Sequence, residues 1–440
     1  LTVRKVKAGC LLAIVLLIVM LAGAISTGKT VEITLFGMPH ANNPEWNEAG
    51  VEMWKEMYPQ YQDVRVSIIS EGSAKLVTMV AAGTPPDIIH ASSSTIPSYV
   101  YNGFLQDISP LIQKDRDFNI GSYIPSTIDT LRYKQGLYGL PRAWSAVATM
   151  YNADLLEVRG IATPDPDWTW DDLIVLTKKA TFDSDGDGHV DYFGFSDTWT
   201  HHHRWPTWVW GAGGDLYSPD MRTATLNSEN AIRGFEFMTD LYITHNVAPK
   251  VVGGQLAEPG ITSTQSGHNI HSDLFNRGRI AFFNTTRFSR PVTDLFRFGV
   301  LLLPKGPVSR TSVMVADYYG ITPFCEEIDT VWHLVKTLTS PAGYEVARDP
   351  SKMYYWALSP HTKQARDTLL APDVPDIQAI NWVIVAEDAR RAETNHPAAG
   401  SFTIDFNAII NTTMSVRQAL NVAVEQQNAR LAELWAKKPW

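Results

Sequence analysis

Residues 81–110 read AAGTPPDIIHASSSTIPSYVYNGFLQDISP, and their punctuation decides the fold. Gly83 suits the left-handed residue that ends a helix, and Pro85 and Pro86 cannot continue one. Asp87-Ile-Ile-His90 is a short apolar run of the kind that fits a buried parallel strand. The polar run Ser92-Ser93-Ser94-Thr95 follows at the carboxyl end of that strand, where open α/β sheets place their ligands. A second short helix then leads away.

Upstream, the alternation of Val31 to Phe36 predicts a strand. Val51, Trp54 and Tyr58 recur at helical spacing from Trp46 until Pro59 stops them. A strand over 64–69 and a helix over 74–82 complete a β-α-β-α-β order, which argues for a largely parallel, doubly wound α/β sheet. Downstream, 137–151 is an extended stretch without a helical stripe, fit to cross between lobes. Thr169 to Asp172 has the form of a capping box, and Asn227/Ser228 cap a helix with Ile232, Phe235 and Met238 on one face. Ser272 is expected to open a short helix before a strand at 280–283. Residues 299–325 read as two strands around a Pro/Gly loop, and the remainder from Thr330 as mostly helical.

A chain of 440 residues, 45% apolar and 19% charged, is globular and long enough for two lobes. Arg4, Lys5 and Lys7, the apolar run Cys10–Ala24 and the Ala22-Gly23-Ala24 exit form a signal peptide over 1–24. Left uncleaved, the same run would anchor the chain in a membrane. Removing those three cations and no acid moves the formal charge from −9 to −12. That balance argues against nucleic acid as a partner. Cys325 alone would remain, so no intramolecular disulfide is expected, and it reads as a small buried residue.

Flat aromatic faces beside fixed polar groups suit a ligand-binding surface. The segment WTHHHRWPTWVWGAGG at 199–214 supplies Trp199, Trp205, Trp208 and Trp210 beside three histidines and Arg204, although Trp208 or Trp210 also suits a core. Asp183, Asp185, Asp187 and Asp191 stand at positions one, three, five and nine of a calcium loop, with the His189 carbonyl available. A structural Ca2+ is therefore expected, held weakly or completed from elsewhere because Gly194 stands where the twelfth-position Glu belongs. No other cofactor is called for. G-x-S-x-G, a P-loop and H-E-x-x-H are all missing, so the chain is not read as an enzyme.

The 81–110 block is followed, in order, by Tyr138-Gly-Leu-Pro141, Met150-Tyr-Asn-Ala-Asp-Leu-Leu156 and Trp168-Thr-Trp-Asp-Asp-Leu173. Gly211-Ala-Gly-Gly214, Phe275-Asn-Arg-Gly-Arg-Ile-Ala-Phe282 and Leu303-Pro304 come after. Together they resemble the extracellular solute-binding proteins of ABC transporters, family 1, the maltose-binding-like sugar-binding group. The resemblance implies a two-lobed periplasmic-binding-protein fold of type II, each lobe a doubly wound, mostly parallel sheet flanked by helices. It divides the chain into 30–143 plus 303–341 and 144–302 plus 342–440, with crossings near 143, 302 and 342. It further implies a monomeric, extracytoplasmic (periplasmic or cell-surface) component that captures a mono- or oligosaccharide and delivers it to permease subunits.

By the same resemblance, ligand contacts fall on His40, Glu45, Ser93, Ser94, Trp144, Ser145, Arg287, Tyr318 and Tyr319 as well as on the 199–214 segment. Ser145 stands where maltose-binding relatives place a sugar-binding acid, and Arg287 where they place a stacking Trp. Two other readings stay open. One is an anionic solute such as a polyol phosphate, gripped by Arg204, Arg287 and the histidines. The other is an extracellular glycoside-acting enzyme or lectin-like module.

Overall fold

The computed structural model describes residues 31–37, 44–198, 200–263, 265–267, 269–287, 295–346, 357–371, 376–392, 395–396 and 400–437. Residues 1–24, expected to form a signal peptide, His40 and Trp199 lie outside them. Among the described residues no helix is long and apolar enough to cross a membrane.

The chain opens with β1 (Glu32–Gly37), α1 (Pro44–Met57), β2 (Arg65–Ser70), α2 (Ser73–Ala81) and β3 (Ile88–Ser92). A thirteen-residue strand, β4 (Leu140–Asn152), then leads into α3 (Trp170–Ala180), β5 (Phe193–Asp197), α4 (Pro206–Gly211) and α5 (Glu229–Asp240). Next come β6 (Ile280–Thr286), β7 (Phe298–Leu301), β8 (Ser312–Ile321), α6 (Ile328–Leu338), α7 (Asn381–Glu387), β9 (Ala389–Arg390) and α8 (Val416–Lys437). The sheet order is β2-β1-β3-β8-β4-β6-β5, with β7 paired to β4 and β9 to β8. The β2-β1-β3 set and the β6-β5 pair are parallel, whereas β8 is antiparallel to both β3 and β4, and β6 is antiparallel to β4.

The punctuation at 81–87 is realised as written. Gly83 sits at φ 73°, and the Thr84 amide donates to the Met79 carbonyl, closing α2 in a Schellman arrangement. At the head of α3, the Thr169 hydroxyl accepts from the Asp172 amide while the Asp172 carboxylate accepts from the Thr169 amide, which is the reciprocal cap expected there. The helix expected from Ser272 begins three residues earlier, at Asn269.

Buried side chains form three clusters that map the lobes. Leu35, Trp54, Ile88, Tyr318, Tyr319 and Val335 belong to the first lobe. Trp208, Phe235, Phe282, Leu303, Val313 and Val315 fill one side of the second sheet, and Trp144, Met150, Phe283, Met314 and Trp382 the other. The passage between lobes expected near 302 therefore lies along β8. Leu303 to Val315 pack with the second lobe, and the chain enters the first only at Tyr318, after a register shift between Asp317 and Tyr318.

Candidate functional site

Strand directions place the site. β3 runs parallel to β4 and β6 runs against it, so the carboxyl ends of the two lobes' parallel strands point at each other over the middle of β4. Ser92 of β3 is level with Asp317 and Ala143, and Thr286 of β6 is level with Val147. Ligands of open α/β sheets bind beyond such ends.

On the first lobe this position carries a compact polar group. Trp46 and Asn47, in the first turns of α1, meet Arg142 of β4, His90 of β3, and Asp317 and Tyr319 of β8. The Arg142 guanidinium stacks 4.5 Å from the Trp46 ring. Tyr319 donates to the Asn47 Oδ1 at 2.6 Å, and the same oxygen lies 3.2 Å from the His90 Nδ1. Burial pushes the Asp317 carboxyl up to about 7, against the pull of Arg142. Burial, reinforced by Arg142, holds His90 well below its ordinary value. No protein donor among the described residues reaches the Asp317 Oδ2.

The second lobe presents a matching group. Asp197 ends β5 and accepts at Oδ2 from the Trp208 Nε1 at 2.9 Å, and its carbonyl accepts from the Tyr242 hydroxyl at 2.7 Å. Beside it lie Arg204 and the histidines, with His202 and His203 rings 3.9 Å apart. Burial raises Asp197 to about 7 and lowers Arg204 to about 10, each opposed by the other's charge. Burial also lowers His203 well below its ordinary value and His202 to about 4. Asn284 of β6 pairs with Asp197 and accepts from the Thr149 hydroxyl at 2.7 Å. Among the described residues the Asp197 Oδ1, Arg204 Nε and Nη1, His203 Nδ1 and Asn284 Nδ2 are buried without a protein partner. Buried polar groups are ordinarily satisfied, so unsaturated atoms gathered at opposed strand ends mark places where a polar ligand or water completes the bonding. Asp317 and Asn284 are level with Ala143 and Thr149, six residues apart on one face of β4, or roughly 20 Å.

The residues expected at the site divide. Tyr319 and Arg204 stand in the two groups just described. Trp208 joins through its indole N–H, but its ring packs against Trp170, Phe195 and Phe237. Trp205 packs against Phe235 and Phe402, and Trp210 donates to the Asp215 Oδ1 with Arg390 stacked 3.9 Å away. Trp144 is fully buried and donates to the Ser359 carbonyl. All four rings are buried; Trp144, Trp205 and Trp208 pack within the core, and Trp210 borders a separate cavity. Ser93 accepts from the Ala316 amide, and Ser145 accepts from the Arg287 amide at 2.7 Å, so both hydroxyls fasten neighbouring backbone segments. Arg287 is buried, with its Nη1 3.7 Å from the Asp376 carboxylate. Tyr318 points to the other face of β8, 3.0 Å from the Thr95 hydroxyl. Ser94 is half-buried at the strand tip, and Glu45 is exposed in the first turn of α1. Trp46, Arg142, Asp197, Asn284 and Thr149 were not expected from sequence. The available signal was a lone polar or charged residue inside an apolar strand.

In the acidic loop, carboxylate oxygens of Asp183, Asp185 and Asp187 lie within 4.8 Å of one another. Gly186 and Gly188, at φ 81° and 91°, let the backbone wrap them. Asp191 instead accepts from Ser184 and faces Arg279 at 3.8 Å, and the His189 amide donates to Asp187. Gly194, at the loop's twelfth position, already lies in β5. A Cβ there would stand 2.0 Å from the Thr177 carbonyl oxygen, so helix–sheet contact forbids the bidentate Glu.

Comparison with known proteins supplies the context. The sequence profile of the bacterial extracellular solute-binding proteins matches residues 43–345. A galactooligosaccharide-binding protein of Bacillus subtilis is 23% identical over 354 residues, covering 73% of this chain and 77% of that protein. An uncharacterised lipoprotein of Streptomyces antibioticus is 29% identical over 180 residues, so the chain spans only 39% of its length. Among solved structures, the ABC substrate-binding protein Lmo0181 from Listeria monocytogenes, in complex with cycloalternan, superposes with a TM-score of 0.68. That match has 20% identity and covers 92% of this chain and 100% of that one.

Proposed function

Since the chain belongs to the bacterial extracellular solute-binding proteins, we propose that it is the extracytoplasmic capture component of an ABC importer and that its ligand is a carbohydrate. The observation that carries this reading is the pairing of two buried Arg/Asp groups, Arg142 with Asp317 and Arg204 with Asp197, at opposed strand ends. Each couple offers guanidinium donors and carboxylate acceptors to neutral hydroxyls. Such charge-assisted bonds are the stronger kind. A polyol hydroxyl both donates to the carboxyl and accepts from the guanidinium of each couple, which an acceptor-only anion cannot do. The galactooligosaccharide-binding relative and the cycloalternan complex are consistent with this choice.

The mechanism follows from the topology. A ligand touching Asp317 from the first lobe and Arg204 from the second replaces water on both and is held only when the lobes approach. Binding therefore selects the closed arrangement about β4 and β8. The sugar leaves chemically unchanged, and the closed form is what a permease would recognise. The Asp183-Asp185-Asp187 cluster would serve as a structural calcium site, distant in role from the sugar. Isothermal titration against galacto- and maltooligosaccharides tests the carbohydrate reading: a sugar should bind and heat release should vanish in Arg204→Gln. Turnover of the sugar during titration would favour a glycoside-acting enzyme instead.

A further inference from the structure

A second concave region lies beside Tyr318. Tyr318 and Tyr319 are neighbours on β8 and point to opposite faces. Tyr319 meets the Asn47 and Arg142 group, while Tyr318 meets Thr95 and lies within electrostatic reach of Arg391. Arg391 lines two adjoining cavities of about 330 and 490 Å³ that share Pro219 and Met221. One wall is Arg132 and Lys134, on a short hairpin of the first lobe in which Arg132 and Tyr133 pair with Leu137 and Gly136. The other consists of Arg222, Arg390 and the indole of Trp435 from the second.

Five cations line this groove against two carboxylates, Asp215 and Asp220, in a chain whose formal charge is −9. Both carboxylates are engaged locally. Asp215 accepts from the Trp210 indole, the Leu216 amide and Arg390. Asp220 accepts from the Ser218 hydroxyl and the Arg222 amide. Arg132 also faces Asp129, outside the groove, at 3.3 Å. The guanidinium planes are presented rather than loose. Arg390 stacks 3.9 Å from Trp210, Arg222 stacks 4.9 Å from Trp435, and Arg391 donates to the Thr130 and Arg132 carbonyls across the lobe boundary. Planar guanidinium forks held by aromatic rings suit bidentate binding of carboxylate or phosphate.

We propose that this groove is a second ligand site, for a small organic or inorganic polyanion, separate from the sugar cleft. Its cations come from both lobes, so an anion bound there bridges them and shifts the balance between open and closed arrangements. By linkage, sugar and anion then alter each other's affinity by the same factor. Only this last consequence rests on the carbohydrate reading; the anion site stands without it.

The test is calorimetric titration of the full chain, without sugar, at low ionic strength with two probes, inorganic pyrophosphate and citrate. Binding of either is expected, with quenching or enhancement of tryptophan fluorescence from Trp210 and Trp435. Preference between the probes assigns phosphate or carboxylate as the favoured group. The exposed pair Lys134→Glu/Arg222→Glu should weaken binding at least tenfold, and Lys134→Gln/Arg222→Gln should weaken it less. Lys363→Glu, on a distant exposed helix paired with Asp367, should bind as the parent does. Failure of both probes to bind overturns the proposal. So does equal binding by the parent and both double variants, or equal loss in Lys363→Glu.

Discussion

Asp317→Asn separates the contribution of a buried charge to stability from its contribution to binding. The parent carboxyl is pushed up to about 7 by burial, with Arg142 opposing. An unfolded aspartate titrates near ~3.9, so the gap corresponds to on the order of 4 kcal/mol against the ionised native form. The sign follows from proton counting. Between about pH 4 and pH 7 the native state keeps a proton that the unfolded chain has released, so this group's contribution to stability falls as pH rises through that window. Asparagine has nearly the same shape and cannot ionise. Near pH 5 the variant should therefore gain only about 1.5 kcal/mol, because the unfolded aspartate is already mostly ionised there while the native one keeps its proton. By pH 8 the variant should be the more stable by up to about 4 kcal/mol. Arg142 is then left beside a neutral amide, still stacked on Trp46. Affinity should move the other way, because a charge-assisted hydrogen bond to a sugar hydroxyl is worth about 1.5–3 kcal/mol, or roughly ten- to hundredfold in Kd. Calorimetric melts at pH 5 and pH 8, with titration of the best-binding oligosaccharide, read both quantities. A variant destabilised equally at both pH values, with unchanged sugar affinity, would refute the placement of Asp317 as a buried, ligand-facing acid.

Three further outcomes follow from the packing. Trp208→Phe removes the 2.9 Å donor to Asp197, leaving a buried carboxylate oxygen unmatched, and should cost about 1–3 kcal/mol by thermal melt. Thr169→Ala breaks the cap of α3 and should cost about 1 kcal/mol while sugar affinity stays at the parent value, as measured by titration. Calcium should raise the melting temperature of chelator-treated protein, and Asp183→Asn/Asp187→Asn should abolish that rise; identical melts with and without calcium would remove the metal from the account.

Much of the framework was legible because it depends on local rules. Gly83 and the two prolines that follow, the apolar run after Asp87 and the Thr169–Asp172 box each specify backbone geometry without help from distant residues. The site was harder to read. Tryptophans at 205, 208 and 210 announce flat faces, but a six-residue helix pressed between sheet and α5 buries Trp208 and Trp210, Trp205 is buried just ahead of it, and sequence cannot say which side of a short helix meets solvent. Arg142 and Asp197 carry the opposite lesson. Each is one charge in an otherwise apolar strand, and its meaning depends on strand order: Asp197 becomes a cleft residue only because β5 and β3 end facing each other across β4. The missing Glu at position 194 is likewise explained by a contact, Thr177, that is seventeen residues away in sequence.

The central claim is that one carbohydrate is held by both lobes at once. Small-angle scattering of the full chain, titrated with the oligosaccharide that binds in calorimetry, tests it most directly. The account predicts a fall in radius of gyration that saturates with the binding curve and is lost in Arg204→Gln. An unchanged radius at saturating sugar would contradict it.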